Sequence, residues 1–439
     1  MAFYLPGTHV PHRKNTQNSP VARLDAPKTV SIPMAMHIGK PAKPIVKVGD
    51  PVKVGTKIAE ADGYISSPIY SGVSGKVVKL EDYLLSNGAT SVAVVIENDG
   101  LMEQDEKIAP PTINSREDLI AAIKESGIVG LGGAGFPTYV KFDVDPARID
   151  YLVINGAECE PYVTSDTVTM MTREADISDA LKALAKWIGI QHVVIGIENN
   201  KKEAILNMKK MAESIEECKV EVKSLPAVYP QGGEKVLVYH TVGRKIPVGK
   251  LLIDAGCVVI NCTTLATIGA YLKTGLPLVE KCVTVDGGAV AQPQNIIAPI
   301  GASFADLFAA CGGLKAEPSK LLYGGPMMGI TVADDSAPIL KNTNAILALT
   351  AKEVKEPKTT ACIRCGACVN TCPFALAPVA IAAAFDKKDR EELEDLVVDA
   401  CMECGCCSFV CPANRPLVQI NKLSKQFLRE ERMKEASKE

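Results

Sequence analysis

The 439 residues suffice for about three domains with cores of their own, and 48 basic against 51 acidic residues leave a net charge of −3, which excludes the clustered cationic face that binds nucleic acid. The longest charge-free apolar stretch, 256–272, is interrupted by Asn261, three threonines and Gly269 and falls short of the ~20 apolar residues of a membrane-spanning helix. Residues 1–10 have no basic region followed by an apolar core, so a cytoplasmic protein is expected. Its fifteen cysteines are then read as metal ligands and reduced core thiols, not disulfides.

From about Val30 to Asn98 short β-branched runs alternate with glycine turns, as in Ile45-Val46-Lys47-Val48 before Gly49-Asp50. This predicts a small all-β unit within an N-terminal module, 1–110. Its pattern resembles the barrel-sandwich fold of biotinyl and lipoyl domains, but the hairpin that would carry their acceptor lysine reads Ala61-Asp62-Gly63-Tyr64-Ile65-Ser66-Ser67. A scaffold or docking module is therefore expected. Beyond Pro110-Pro111, Ser115 with Glu117 and Asp118 starts a helix. Stretches 151–154 and 192–197 read as buried strands, and Glu174–Ile188 as a helix with Ile177, Leu181, Leu184 and Ile188 on one face. The alternation predicts an α/β domain over 111–282. Residues 283–330, with a helix at 303–310 among Gly and Pro turns, read as a small separate unit, and 331–357 as a linker. The remainder, 358–439, is helix-prone between Cys372 and Cys401, and its tail carries Ile420, Leu423 and Phe427 at helical spacing.

That last segment repeats one pattern: Cys362-x-x-Cys365-x-x-Cys368-x-x-x-Cys372-Pro373, then Cys401-x-x-Cys404-x-x-Cys407-x-x-x-Cys411-Pro412. It is the ligand run of bacterial ferredoxins with two 4Fe-4S clusters, in which the fourth cysteine serves the other cluster. Cys362, Cys365, Cys368 and Cys411 are accordingly assigned to one cluster, and Cys401, Cys404, Cys407 and Cys372 to the other. Structural zinc would need two separated Cys-x-x-Cys pairs instead. Cys406 is off the spacing and is read as a bystander.

A second segment, Gly130-Leu131-Gly132-Gly133-Ala134-Gly135-Phe136-Pro137, formally contains G-x-G-x-x-G. A Rossmann reading requires a preceding strand, whereas a predicted helix precedes it and Pro137 follows at once. Alone, the loop is either a phosphate grip or merely a turn. Three further segments stand in order behind it: Asn155-Gly156-Ala157-Glu158-Cys159-Glu160-Pro161, Tyr229-Pro230-Gln231-Gly232-Gly233-Glu234 and Val259-Ile260-Asn261-Cys262-Thr263-Thr264. Together they resemble the FMN- and NADH-binding segments of the complex I flavoprotein. With the β-rich module before them and the paired cluster runs after, the chain resembles, over essentially its whole length, the RnfC family of Rnf ion-translocating ferredoxin:NAD oxidoreductases.

The resemblance implies a multidomain fold: a β barrel-sandwich, an α/β flavoprotein domain, a β-grasp unit over 283–330 and a helical two-cluster ferredoxin domain. It implies FMN and two 4Fe-4S clusters as cofactors and NAD(H) as substrate. FMN is expected on Gly130, Gly132, Gly133, Ala134 and Gly135 with Lys141 as the phosphate cation, and against Asn155, Glu158, Tyr229, Gly233, Glu234, Asn261 and Thr263. Phe136 is expected to stack on the nucleotide, and Glu160 and Glu234 to stand as catalytic acids beside the reacting rings. Leu131, Ala157 and Lys235 depart from the complex I pattern and make nucleotide contacts less secure than flavin contacts. Implied partners are integral-membrane and iron–sulfur subunits of an Rnf-type complex, with ferredoxin reached indirectly, and the implied location is the cytoplasmic face of the membrane. Two rival readings are a soluble NADH-dependent reductase similar to cobalamin reductases and a non-enzymatic electron relay.

Overall fold

In the computed structural model, which describes residues 4–85, 88–355 and 358–436, the N-terminal module is two antiparallel sheets. One orders Thr29–Pro33, Thr90–Asn98, Gly75–Leu84 and Pro51–Val52, and the other Lys43–Pro44, Lys57–Glu60 and Ile69–Tyr70. Alternate residues point inward, so Val30, Ile32, Val52, Ile58, Ile69, Val77, Val94 and Ile96 share one core. The hairpin position of a carrier lysine is docked instead of free. Tyr64 donates to Asp143 Oδ2 at 2.9 Å, and buried Ser67 donates to the Gly127 carbonyl at 3.1 Å.

The next unit is a parallel sheet ordered Lys219–Leu225, His192–Glu198, Tyr151–Gly156 and Cys257–Asn261. Its middle strands are apolar runs because helices cover both faces. Helix Glu174–Ile188 buries Ile177, Leu181, Leu184 and Ile188 as expected and stops at Gly189 in the left-handed conformation. The register sets Asn155 beside Asn261 at the carboxyl ends of adjacent strands, which is where open α/β sheets form their crevice.

A six-stranded mixed sheet follows, ordered Val21–Arg23, Gln294–Pro299, Glu280–Asp286, Ala345–Leu349, Lys320–Tyr323 and Ile330–Val332. Two of its strands depart from the expected boundaries. Val21–Arg23 reaches out of the N-terminal module to pair in parallel with Gln294–Pro299. Ala345–Leu349, within the expected linker, lies fully buried between Glu280–Asp286 and Lys320–Tyr323. Its Ala- and Leu-rich composition contains a single β-branched residue, so propensity does not mark it as a strand; central burial makes it one. Residues 356–357, which end that stretch, lie outside the described residues.

In the last unit, helices Pro378–Asp386, Arg390–Asp395 and Leu417–Ala436 enclose Leu376, Ile381, Leu393, Val398 and Leu428. The tail's register differs from expectation. Leu423 is exposed, and the buried positions are Leu417, Asn421, Ser424 and Leu428. Polar Asn421 and Ser424 on that face disguise its period.

Gly269 allows helix Cys262–Thr274 to touch helix Glu174–Ile188: a Cβ there would stand 1.9 Å from the Asp176 carbonyl oxygen. Helix propensity favours Gly269→Ala by about 0.5–1 kcal/mol, whereas overpacking costs about 1–3 kcal/mol. Packing should win, and thermal unfolding should begin at a lower temperature in the variant. A midpoint equal to or above that of the parent would contradict this helix contact.

Candidate functional site

The carboxyl ends of the parallel strands open on a cavity of about 930 Å³, closed on one side by loop 324–329 of the six-stranded unit and on another by Phe374, Cys401 and Met402 of the last unit. All four segments singled out in the sequence reach its wall. Gly132, Gly133 and Ala134 come from the first, Asn155, Glu158 and Glu160 from the second, Tyr229, Gly233 and Glu234 from the third, and Asn261 from the fourth.

The glycine loop turns back on itself through Gly135 N to Gly130 O at 3.0 Å and Gly130 N to Phe136 O at 2.8 Å. Leu131 N donates to Thr264 Oγ1 at 2.9 Å, and Ile38 N holds the Gly135 carbonyl at 2.9 Å. The amides of Gly132, Gly133 and Ala134 make no hydrogen bond to another described residue. They border the cavity. Gly133 has φ +122°, open to glycine and strained for other residues. Successive unpaired amides on such a turn form an anion-binding concavity, so this loop fits a phosphate group. Gly130, Gly135 and Phe136 close the loop and stand outside the cavity lining.

Lys141, the expected phosphate cation, also lies outside that lining. Its ammonium donates to the Val259 carbonyl at 2.8 Å and to Glu234 Oε1 at 2.9 Å. Asn155 Nδ2 donates to the Gly232 carbonyl at 2.8 Å. Asn261 is oriented from both ends, its Nδ2 on Asp166 Oδ2 at 2.8 Å and its Oδ1 accepting from Thr264 N at 3.1 Å. Thr263 is buried behind it, donating to Asp166 Oδ1 at 2.6 Å. Asp166, which the sequence reading did not single out, is thus the acceptor that sets both. Its only sequence signal is an acid in the first turn of helix Ser165–Thr172.

Glu158 accepts from Asp166 N at 2.7 Å and Thr167 Oγ1 at 2.6 Å. It therefore caps that helix, and burial pushes its carboxyl up to about 7. The Lys14 ammonium donates to the carbonyls of Glu158, Glu160 and Val163 at 2.7, 2.8 and 2.5 Å. Lys201, paired with Glu198 at 2.7 Å, donates to the Ala157 carbonyl at 2.7 Å. Two lysines absent from the expected site therefore fix its second segment.

Glu160 lines the cavity and has a second engagement. Its carboxylate accepts from Met327 N at 3.0 Å and Met328 N at 2.8 Å, holding loop 324–329 against the flavoprotein unit; burial raises it to about 7. A Cβ at Gly325 would fall 2.3 Å from its Oε2, so glycine is needed for that contact. Tyr229, nearly fully buried, donates its hydroxyl to the Cys404 carbonyl at 2.8 Å. It joins the flavoprotein unit to the cysteine repeat.

The two cysteine runs fold alike: Arg364 and Gly366 repeat the positive φ of Glu403 and Gly405, and the amides of Arg364 and Glu403 point at Cys362 and Cys401 sulfurs at 3.4 Å. Cys362, Cys365, Cys368 and Cys411 line one hollow of about 350 Å³. Cys372, Cys401, Cys404 and Cys407, together with Cys406, line a much smaller one of about 20 Å³. Among the described residues no three His, Cys, Asp or Glu side chains gather closely enough for a single ion. The outer set surrounds an open volume of the kind a multi-iron cluster needs, while the inner set is gathered around a much tighter space. Cys362 and Cys365 are exposed while Cys404 and Cys407 are buried. Cys406 turns away toward the Tyr229 carbonyl, 3.8 Å distant.

Models of four protein families match in chain order: the RnfC barrel sandwich hybrid domain over 4–101, the Nuo51 FMN-binding domain over 123–270, the SLBB domain over 282–331 and the 4Fe-4S dicluster domain over 358–415. The C component of the proton-translocating ferredoxin:NAD(+) oxidoreductase complex of Clostridium ljungdahlii is 40% identical over 388 residues, 87% of this chain and 84% of that one. Its Na(+)-translocating counterpart in Acetobacterium woodii is 42% identical over 86% of both chains. The chain belongs to the RnfC family of ion-translocating oxidoreductase complexes. Another member, from Rhodobacter capsulatus, is 38% identical over 95% of this chain and 82% of its own. Beyond the RnfC family, the crystal structure of an NAD+-reducing [NiFe]-hydrogenase shares the fold, with a TM-score of 0.50 and 17% identity over 73% of this chain and 62% of that chain.

In this RnfC family member, Cys404→Ser should lower bound iron and acid-labile sulfide from about eight atoms each to about four. Cys406→Ser should leave both near eight. Equal losses in the two variants would mean that the assigned register is wrong.

Proposed function

We propose that the chain passes electrons between NAD(H) and an iron–sulfur route inside an ion-translocating ferredoxin:NAD oxidoreductase complex, using FMN in the 930 Å³ cavity and a 4Fe-4S cluster on each cysteine set. One observation carries this reading: Cys401 lines both that cavity and the inner cysteine-lined hollow. A flavin bound there would supply the exchange between two-electron nicotinamide chemistry and one-electron cluster chemistry.

The chain's own residues bind and orient. The amides of Gly132 to Ala134 take the phosphate; Asn155 and Asn261, side by side on the strand ends, offer amide groups to the ring system; Glu234 stands at the entry held by Lys141. Loop 324–329, latched by Glu160, keeps water from one wall, and Phe374 with Met402 lines the approach to the inner cluster. Nothing in this arrangement requires a proton-transfer triad. Glu160 anchors the wall loop while itself lining the cavity.

The outer set, Cys362, Cys365, Cys368 and Cys411, of which Cys362 and Cys365 are exposed, is the port for a partner, and the inner set, of which none is exposed, is the relay toward the flavin. By its likeness to components of ion-translocating complexes, translocation is assigned to membrane partners and this protein to the cytoplasmic face; no helix among the described residues is long and apolar enough to cross a membrane.

Anaerobic holoprotein treated with NADH should lose flavin absorbance and then cluster absorbance. Cys362→Ser, which disables the outer port, should keep flavin reduction by NADH while losing reduction of an external iron–sulfur acceptor. Flavin that NADH does not reduce would leave only the relay reading, and full acceptor reduction by Cys362→Ser would reverse the assigned order of the clusters.

A further inference from the structure

Two carbonyls of the glycine loop are held from outside the flavoprotein unit. Leu131 O accepts from Lys281 Nζ at 2.6 Å, and Gly133 O accepts from Asn342 Nδ2 at 2.7 Å. Both donors belong to the six-stranded unit. Lys281 is the second residue of strand Glu280–Asp286 and is buried, whereas Asn342 is half-buried in the approach to strand Ala345–Leu349 and lines the cavity.

A trans peptide is planar, so its carbonyl and the following N–H point in opposite directions. Fixing the Leu131 carbonyl therefore aims the Gly132 amide away from Lys281. Fixing the Gly133 carbonyl aims the Ala134 amide away from Asn342. These are two of the three amides that meet no described partner and face the cavity. Gly133, between the two tethered peptides, has the φ of +122° that lets the turn satisfy both. Thr264 holds the Leu131 amide, in the peptide immediately before the first tethered one. Lys281 also brings its amino group beneath the loop, where burial lowers it to about 8.

We propose that Lys281 and Asn342 are positioning residues for phosphate recognition, so that the glycine loop grips the phosphate of FMN only with the six-stranded unit docked behind it. This rests on the reading of the loop as the FMN phosphate site. Neither residue is assigned a contact with the flavin ring. Their removal should weaken the phosphate contact alone.

Riboflavin, which lacks the phosphate, isolates that contact. The full-length chain, stripped of flavin with its clusters retained, is titrated with FMN and with riboflavin, following quenching of flavin fluorescence. Asn342→Ala should weaken FMN roughly 3- to 10-fold, the scale of one net hydrogen bond, and leave riboflavin affinity unchanged. Lys281→Met should act in the same direction and more strongly, because a charge is lost with the hydrogen bond. Lys281 is buried, so that variant is comparable only if its iron content and unfolding midpoint match the parent; Asn342, at the cavity wall, carries the test by itself. Equal weakening of both ligands by Asn342→Ala would mark a merely structural tie and overturn the proposal. A parent protein that prefers FMN, with an Asn342→Ala variant keeping the whole preference, would overturn the positioning role while leaving the loop's assignment intact. A parent that binds riboflavin as tightly as FMN would remove the assignment of the loop, and the proposal with it.

Discussion

Irregular backbone buried between folding units must have its carbonyls satisfied, because an unpaired buried polar group costs as much as a lost hydrogen bond or more. This molecule meets that constraint with lysines. The Lys14 ammonium takes three carbonyls of the loop behind the cavity, Lys201 takes another, and Lys281 holds the glycine loop. Lys341, fully buried, donates to Ser67 Oγ at 3.0 Å, Pro68 O at 2.5 Å and Gly127 O at 2.7 Å. An ammonium has three donors and no acceptor, so a single side chain can gather carbonyls from two segments that share no ladder. The barrel-sandwich, flavoprotein and six-stranded units meet at such points, and the cavity exists because they do.

The chemistry was more legible in the sequence than the scaffold that positions it. Both cysteine runs could be read from spacing alone, since a cluster dictates where its ligands fall along a chain; the outer hollow gathers the expected four cysteines, and the inner one gathers the other four together with Cys406. Helix Glu174–Ile188 and the parallel strands were legible because one-sided or continuous apolar burial leaves a period. Ala345–Leu349 was hidden because a run of mostly small or unbranched apolar residues carries no period of its own. Val21–Arg23 was hidden for a different reason: a three-residue edge strand owes its existence to a partner about 270 positions away.

At the site, residue type was legible and direction was not. Lys141, Thr263 and Phe136 belong to the right segments, yet the first holds a strand carbonyl, the second supports Asp166 from behind and the third helps close a turn. Glu160, expected at the nicotinamide, lines the cavity and also receives two amides from a loop 167 residues onward, a tie no motif announces. A motif reports which side chains are near a ligand, and the layer immediately behind it uses the same polar residue types. Only the fold separates the two layers. Asp166 and the buried lysines belong to that second layer and have no motif of their own.

The tandem cysteine runs are near copies in spacing and backbone turn, but their surroundings are unequal. The outer run presents Ile363 and two thiols to solvent, while the inner one is roofed by Met402, Tyr229 and the tail helix, with Asn421 donating to Cys401 sulfur at 3.4 Å. Solvent exposure and hydrogen bonds to sulfur are among the factors that set a cluster's reduction potential. Filled sites of identical ligand spacing would therefore differ in potential by virtue of location. Duplication supplied two equivalent stops, and burial of one against the flavoprotein unit turned a symmetric pair into a gradient.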